Sequence, residues 1–358
     1  MDRTGLAAPG LALAPARERL ARAWATTTIS EAAFGRLLGL FVLLTIVASA
    51  LGAGRGPAAQ TFLLIFTSIV IEALPFILVG ALASAAIAVY LPQGSFGWIS
   101  RLPLGLQIPG AALGGFAFPV CECGSVPVAR RLIARGVEPG AGIAFMLASP
   151  VLNPIVLAST WVAYGGHMRG AEMVAGRASL GLVTAAAVGF AFSRTKPGEL
   201  LRPRPADYEH DHGHDHGHDH DQSGAGRPVA FATHLVSDFL FMGKFIVLGA
   251  GLSALVQVVL PGSVVSALGG APVLSSLALM GVAFVLSLCS EADAFIAASF
   301  GSFTPGAQLA FLVFGPLADM KLTVLYGATF RRMFVGRLLL VAIPIILVGS
   351  LIFEALVR

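Results

Sequence analysis

The chain has 358 residues, 56% of them hydrophobic and only 12% charged, with a mean hydropathy of +0.83. An ordinary soluble domain is roughly a quarter charged, so this balance leaves no room for a water-soluble catalytic domain and predicts an all-α, polytopic membrane protein whose principal partner is the lipid bilayer. The formal charge of +4 comes mostly from arginines flanking apolar runs, a pattern that membrane topology explains and nucleic-acid binding does not.

Residues 1–33 carry Arg3, Arg17, Arg19 and Arg22 without an apolar run before a cleavage site, which predicts a cytoplasmic start and no secretory signal. A first spanning helix is expected over 34–53. It is followed by a unit over 60–192 made of five parts. Thr61 to Leu91 is a long apolar helix, and Leu104 to Val120 is a shorter apolar segment. The polar break Cys121-Glu122-Cys123-Gly124-Ser125 comes next, then a short helix stopping near Gly136. A helix opened by Pro139-Gly140 is expected to be interrupted at Pro150, and a plain spanning helix closes the unit over Ala171 to Phe192.

Residues 193–229 form a linker rich in Pro, Gly and charge. The same five parts then recur over 230–356: Phe231 to Leu260, Pro272 to Leu288, the break Cys289-Ser290-Glu291-Ala292-Asp293, a short helix to Gly301, a helix opened by Pro305-Gly306 and interrupted at Pro316, and Val335 to Phe353. Cys123, Pro139, Gly140, Ala141, Ala144, Phe145 and Pro150 each reappear 166 positions later (289 − 123, 316 − 150), the mark of a duplicated unit. Ser125 and Ser290 read as N-caps of the short helices.

The segments on either side of each break are too short to cross a bilayer that needs ~20 residues, so each pair reads as a re-entrant hairpin. That leaves three crossings per unit and makes the two repeats inverted. Basic residues agree: Arg101, Arg130, Arg131 and Arg135 flank the first hairpin, whereas 261–271 and 301–305 hold no Lys or Arg. Conversely Arg331, Arg332 and Arg337 occupy a loop whose counterpart holds Arg169 and Arg177.

The breaks carry the chemistry. Cys121 and Cys123, spaced Cys-x-Cys, with Cys289 at the equivalent break, are soft ligands suited to a thiophilic metal or metalloid. With three cysteines, an odd number lying in apolar sequence, reduced thiols are expected rather than a disulfide scaffold. Glu122, Glu291, Asp293, Asp319 and Lys321 are ionisable groups in apolar surroundings, each costing roughly 2.5 to 3.5 kcal/mol near the bilayer centre, so they mark a solute or proton path. Asp319 occupies the register position of Asn153, placing a polar side chain three residues after Pro in each broken helix. With Ser125 and Ser290 these make up the predicted substrate site.

The tract His210 to Asp221 interleaves six imidazoles, His210, His212, His214, His216, His218 and His220, with carboxylates. A flexible tract of this kind takes zinc-like divalent metals with little discrimination. No cofactor is required by any motif. The sequence contains no phosphate loop, no His-Glu-x-x-His and no Gly-x-Ser-x-Gly, which points away from ATP-driven pumping and standard hydrolysis and toward a gradient-driven carrier, with the proton as the expected coupling ion.

The run Pro-x-Cys-x-Cys-Gly-x-x-Pro from Pro119 to Pro127, then Gly136, Pro139-Gly140, Ala144-Phe145 and Pro150-x-x-Asn153-Pro154, resembles the bacterial predicted-permease family that includes the YraQ-type permeases and the ArsP organoarsenical exporters. The resemblance covers most of residues 60–355. It implies an inner-membrane permease, and similarity to the ArsP branch implies export of trivalent, thiol-reactive arsenicals. Two other readings stand beside it: a divalent-cation permease regulated by the histidine tract, and a membrane thiol redox or metal-delivery protein using the Cys-x-Cys pair.

Overall fold

The computed structural model describes residues 56–91, 102–118, 120–203, 226–259 and 272–357. The N-terminal segment 1–33, the expected helix over 34–53, Arg101, Pro119, the loop 261–271 and the histidine tract lie outside them. Among the described residues the structure is nearly all helical, and its helices fall into two sets of six.

The first set is α1 (Pro57–Tyr90), α2 (Leu104–Gly114, prolonged by a 3-10 turn), α3 (Glu122–Ala134), α4 (Pro139–Leu152), α5 (Pro154–Ala163) and α6 (Met168–Phe192). The second is α7 (Gly226–Val259), α8 (Pro272–Leu286), α9 (Asp293–Ser299), α10 (Pro305–Phe314), α11 (Met320–Thr329) and α12 (Met333–Val357). The 166-residue register survives folding in the broken helices, where α5 and α11 match residue for residue (320 − 154, 329 − 163). A single helical turn, Pro197–Leu200, opens the linker, and Leu201 and Arg202 are pinned to the end of α11 by the Leu201 to Phe330 bridge and by Arg202 N donating to Thr329 O at 3.0 Å.

Five segments are long and apolar enough to cross a membrane: α1, α4 and α5 taken together, α6, α7 and α12. The arms of each hairpin are shorter than a bilayer crossing requires. Packing sorts the elements. α4 is buried along its whole length and α10 along nearly all of it, so these form the centre, while α1 and α12 keep a broad apolar face outward, as a lipid-facing helix must. α1 packs on α7, and α6 on α12. Small residues permit the closest contacts: a Cβ on Gly80 would sit 2.4 Å from the Gly124 Cα, and one on Gly140 2.3 Å from the Gly189 carbonyl oxygen.

The second helix break contains the expected Pro316, while the first is displaced from the expected proline. Pro150 is accommodated inside α4, and the chain breaks at Asn153 instead, at φ −53° and ψ 128°. The reason is Pro154, whose ring drives the preceding residue out of the helical region. In the second set the break spans Gly315 to Asp319. Asn153 and Asp319 play the same part, each capping the following half-helix: Asn153 Oδ1 accepts from Ile155 N at 2.9 Å, and Asp319 Oδ1 from Leu322 N at 2.6 Å.

The serines do not cap. α3 starts with Cys121 at the N-cap, and Ser125 turns its hydroxyl back to Glu122 O at 3.0 Å. α9 starts at Asp293, with Ala292 at the N-cap and Ser290 engaged elsewhere. The stop near Gly136 holds, with that residue at φ +94°, where glycine alone is unstrained.

Contacts between the two sets are reciprocal. α3 of the first meets α11 of the second, and α9 of the second meets α5 of the first. Each hairpin helix therefore lies against the second arm of the other set's broken helix.

Candidate functional site

The two α3/α11 and α9/α5 contacts bring the predicted site residues together in the interior. At the first, Lys321 near the N-terminus of α11 places its Nζ 3.0 Å from Glu122 Oε1 in the first turn of α3 and 3.6 Å from Asp319 Oδ2. All three side chains are essentially inaccessible. Ser290 Oγ donates to the other Glu122 oxygen at 3.1 Å. The ammonium also donates to Ser287 O at 3.0 Å and Leu288 O at 3.3 Å, carbonyls freed where α8 ends. A buried charge survives only with such a full set of partners. Ser287 itself has φ +48°, an uncommon conformation for a residue with a side chain, held by its hydroxyl accepting from Met320 N at 3.2 Å.

The thiols line this cluster. Cys121, Cys123 and Cys289 are free and buried. Cys121 and Cys123 share a side-chain hydrogen bond, and Cys289 Sγ stands 4.0 Å from Lys321 Nζ. Cys289 also lies within electrostatic reach of Cys123 and Glu122. Among the described residues, however, no three His, Cys, Asp or Glu side chains are disposed to hold a metal ion.

At the second contact Arg177 of α6 grips Asp293 of α9 with two parallel bonds, 2.9 Å to Oδ1 and 2.7 Å to Oδ2. The same two terminal nitrogens also reach Thr160 Oγ1 on α5 at 2.9 Å and Ser290 O at 3.2 Å, while Nε has no partner among the described residues. The fork of a guanidinium matches a carboxylate in this way, and the pair ties three helices across the two sets. Arg177 is completely buried, so it is no loop residue and its charge says nothing about topology.

Other predicted residues are less engaged. Both carboxyl oxygens of Glu291 are buried without a hydrogen-bond partner among the described residues, with Glu72, Glu122 and Lys321 in electrostatic range. The Asn153 amide nitrogen is likewise buried and unpartnered, although its oxygen caps α5.

Sequence reasoning passed over Glu72 on α1, Thr160, Arg177 as a site residue, Tyr326 and Ser287. A lone arginine inside an apolar run was the available signal for Arg177. It also passed over a second polar junction, where Ser84 of α1 donates to Asp238 Oδ2 of α7 at 2.6 Å and Arg131 of α3 reaches the same oxygen at 3.6 Å and His234 Nδ1 at 3.2 Å. Beside it Arg135 closes the C-terminus of α1 by donating to the carbonyls of Ala88 and Leu91.

Comparison with known proteins fits this arrangement. A family model described as a predicted permease (ArsP_1) matches residues 58–355. The chain belongs to that predicted-permease family. It is 41% identical over 292 residues to the UPF0718 protein YcgR of Bacillus subtilis, covering 81% of this chain and 96% of that one. It is 34% identical over 301 residues to a Streptococcus mutans protein described as a candidate subunit of a two-component membrane permease complex, covering 81% and 94%. No solved structure matches it. The permease is thus a multi-pass membrane protein of a transporter family, and not an enzyme.

Proposed function

We propose that this permease is an inner-membrane secondary carrier that exports a thiophilic metalloid or metal, with trivalent organoarsenicals as the leading substrate class. The observation that carries the reading is the convergence of Cys121, Cys123 and Cys289 with the Glu122–Lys321 pair where the hairpin helix of the first set meets the broken helix of the second. The hydrogen-bonded Cys121 and Cys123 suit exchange chemistry: two thiols replace two hydroxyls of R–As(OH)₂, forming two As–S bonds and releasing two waters. A site short of a closed metal cage favours release, which a carrier needs as much as capture.

The reciprocal contacts support two inverted repeats, and the arginine distribution then sets the N-terminus and the histidine tract in the cytoplasm. Proton coupling through Glu122, Glu291, Asp293 or Asp319 supplies the driving force. pH-independent flux in vesicles would end that part of the reading. The Streptococcus relative's description extends the proposal to a second membrane subunit, testable by co-purification.

Growth of a transporter-null strain expressing the chain is the deciding experiment. Resistance to methylarsenite that survives deletion of 210–220 is expected. A zinc phenotype lost with the tract would favour the divalent-cation reading instead, for which the six histidines are the motive.

A further inference from the structure

A cavity of about 310 Å³ opens between α2, the end of α3 and the start of α4, and none of the three cysteines lines it. Leu102, Leu106, Leu132, Val137 and Phe145 make its walls apolar, and Gly110 and Gly114 leave part of its volume empty, since a Cβ at either would meet nothing within 4 Å. One polar group lies in this wall. Gln107 is 3% exposed and its Nε2 has no hydrogen-bond partner among the described residues. A buried amide donor left idle costs on the order of 1–3 kcal/mol, so a wall that keeps one is built for an acceptor brought from outside.

The duplicated half closes the same space with its own side chains. At the 166-residue register, which the α4 and α10 region keeps, Val137 is replaced by Phe303 and Gly142 by Gln308. Phe303 is buried there, the Phe300 ring stacks edge-on to Phe303 and Phe311 at 6.0 and 5.7 Å, and Gln308 Nε2 donates to Phe300 O at 2.9 Å. The first half thus lacks the plugs that the second half carries.

We infer that the cavity is a binding site for one acyl chain of a bilayer glycerophospholipid, whose ester carbonyl accepts from Gln107 Nε2. The outer face of α2 around it is apolar and exposed at Leu106, Leu113 and Phe116, so the mouth gives onto hydrocarbon and not onto water. Arg135 and Glu138 flank Val137 at the same end of the hairpin, which sets the mouth near the level where charged side chains meet headgroups. An ester carbonyl lies just below that level. The volume is at the lower end of the range for small-ligand sites and suits one chain rather than a whole lipid. This inference is independent of the substrate reading.

The test is lipid retention by the full-length protein purified in mild detergent and reconstituted with dioleoylphosphatidylethanolamine or its diether analogue, read by native mass spectrometry. Val137→Phe copies the second half's plug, Gly114→Met fills the open space over Gly114, Gly105→Leu is a control in open space outside the cavity, and Gln107→Leu removes the donor. The expected result is one tightly held diacyl lipid in the parent and in Gly105→Leu, reduced at least about tenfold in either plugged variant. Gln107→Leu should lose the preference for diacyl over diether lipid, about fivefold for one hydrogen bond. Equal retention in plugged and parent proteins, or detergent held in place of lipid, overturns the inference. If one plugged variant does not fold, the other and Gln107→Leu decide.

Discussion

Lys321 Nζ and Glu122 Oε1, 199 positions apart in sequence (321 − 122), stand 3.0 Å apart at the meeting of α11 and α3. Each partner is too buried to keep its charge alone. Lys321→Met therefore strands both Glu122 and Asp319 and should cost about 3–5 kcal/mol, read as a lowered unfolding midpoint of the purified protein. Glu122→Gln combined with Lys321→Met should recover more than half of that loss while leaving transport abolished. Additive losses in the double variant would mean the pair is not coupled.

The Arg177 to Asp293 clamp gives a sharper test of geometry. Arg177→Lys keeps the charge but cannot supply two parallel bonds or reach Thr160 and Ser290 together, so a loss of about 1–3 kcal/mol is expected despite the conservative change. Full stability in Arg177→Lys would show that charge alone holds α6 to α9.

Asn153 and Asp319 separate capping from charge. Replacing either by Ala removes the N-cap and should cost about 1 kcal/mol, whereas Asp319→Asn retains the cap and should lose little stability. If flux falls in Asp319→Asn while the unfolding midpoint stays put, the carboxylate serves transport and not the helix.

Gly80→Ala forces a Cβ to 2.4 Å from the Gly124 Cα, and backbone cannot yield there as a flexible side chain would. A loss of about 1–3 kcal/mol is expected in thermal denaturation. Gly105→Ala, with nothing near it, should be neutral or stabilising by up to about 1 kcal/mol.

The three thiols are buried, so in sealed vesicles a membrane-impermeant maleimide should label Cys121, Cys123 and Cys289 at least about tenfold more slowly than a cysteine placed at the exposed Gly198. Methylarsenite should slow the residual labelling further if the thiols take the substrate. Unchanged labelling at saturating methylarsenite would remove them from the proposed path.

Much of this arrangement was legible in the residues. Apolar run lengths separated long helices from short ones, and the fixed spacing of Cys, Pro-Gly and Pro located both breaks because those residues act on the backbone locally. What escaped was decided by partners distant in sequence. Arg177 has Arg169 and Glu172 as chain neighbours, which made it look like a loop charge, while its true neighbours, Thr160, Ser290 and Asp293, come from other elements. The caps failed for a subtler reason. Ser125 has a competing acceptor, Glu122 O, within its own first turn, and a serine so placed is consumed before it can cap. The shift of the first break from Pro150 to Asn153 was in the sequence all along, in the rule that a residue before proline leaves the helix, with Pro154 as its agent.

The unequal halves have a consequence for how such a molecule can arise and be assembled. The place of Lys321 is taken in the first half by Ile155, and that of Glu122 in the second by Ser290, since Cys121 O and Cys289 O each accept from the N–H groups three and four residues on. A symmetric homodimer of the first half would therefore bury two glutamates against isoleucine without a counter-ion, and one of the second half two lysines against serine, each left with Asp319 alone. Neither half can stand in for the other. Once the copies had diverged this far, joining them in one polypeptide fixed their ratio at one to one, and it is the pairing of unlike copies, rather than duplication as such, that allows an ion pair at the centre.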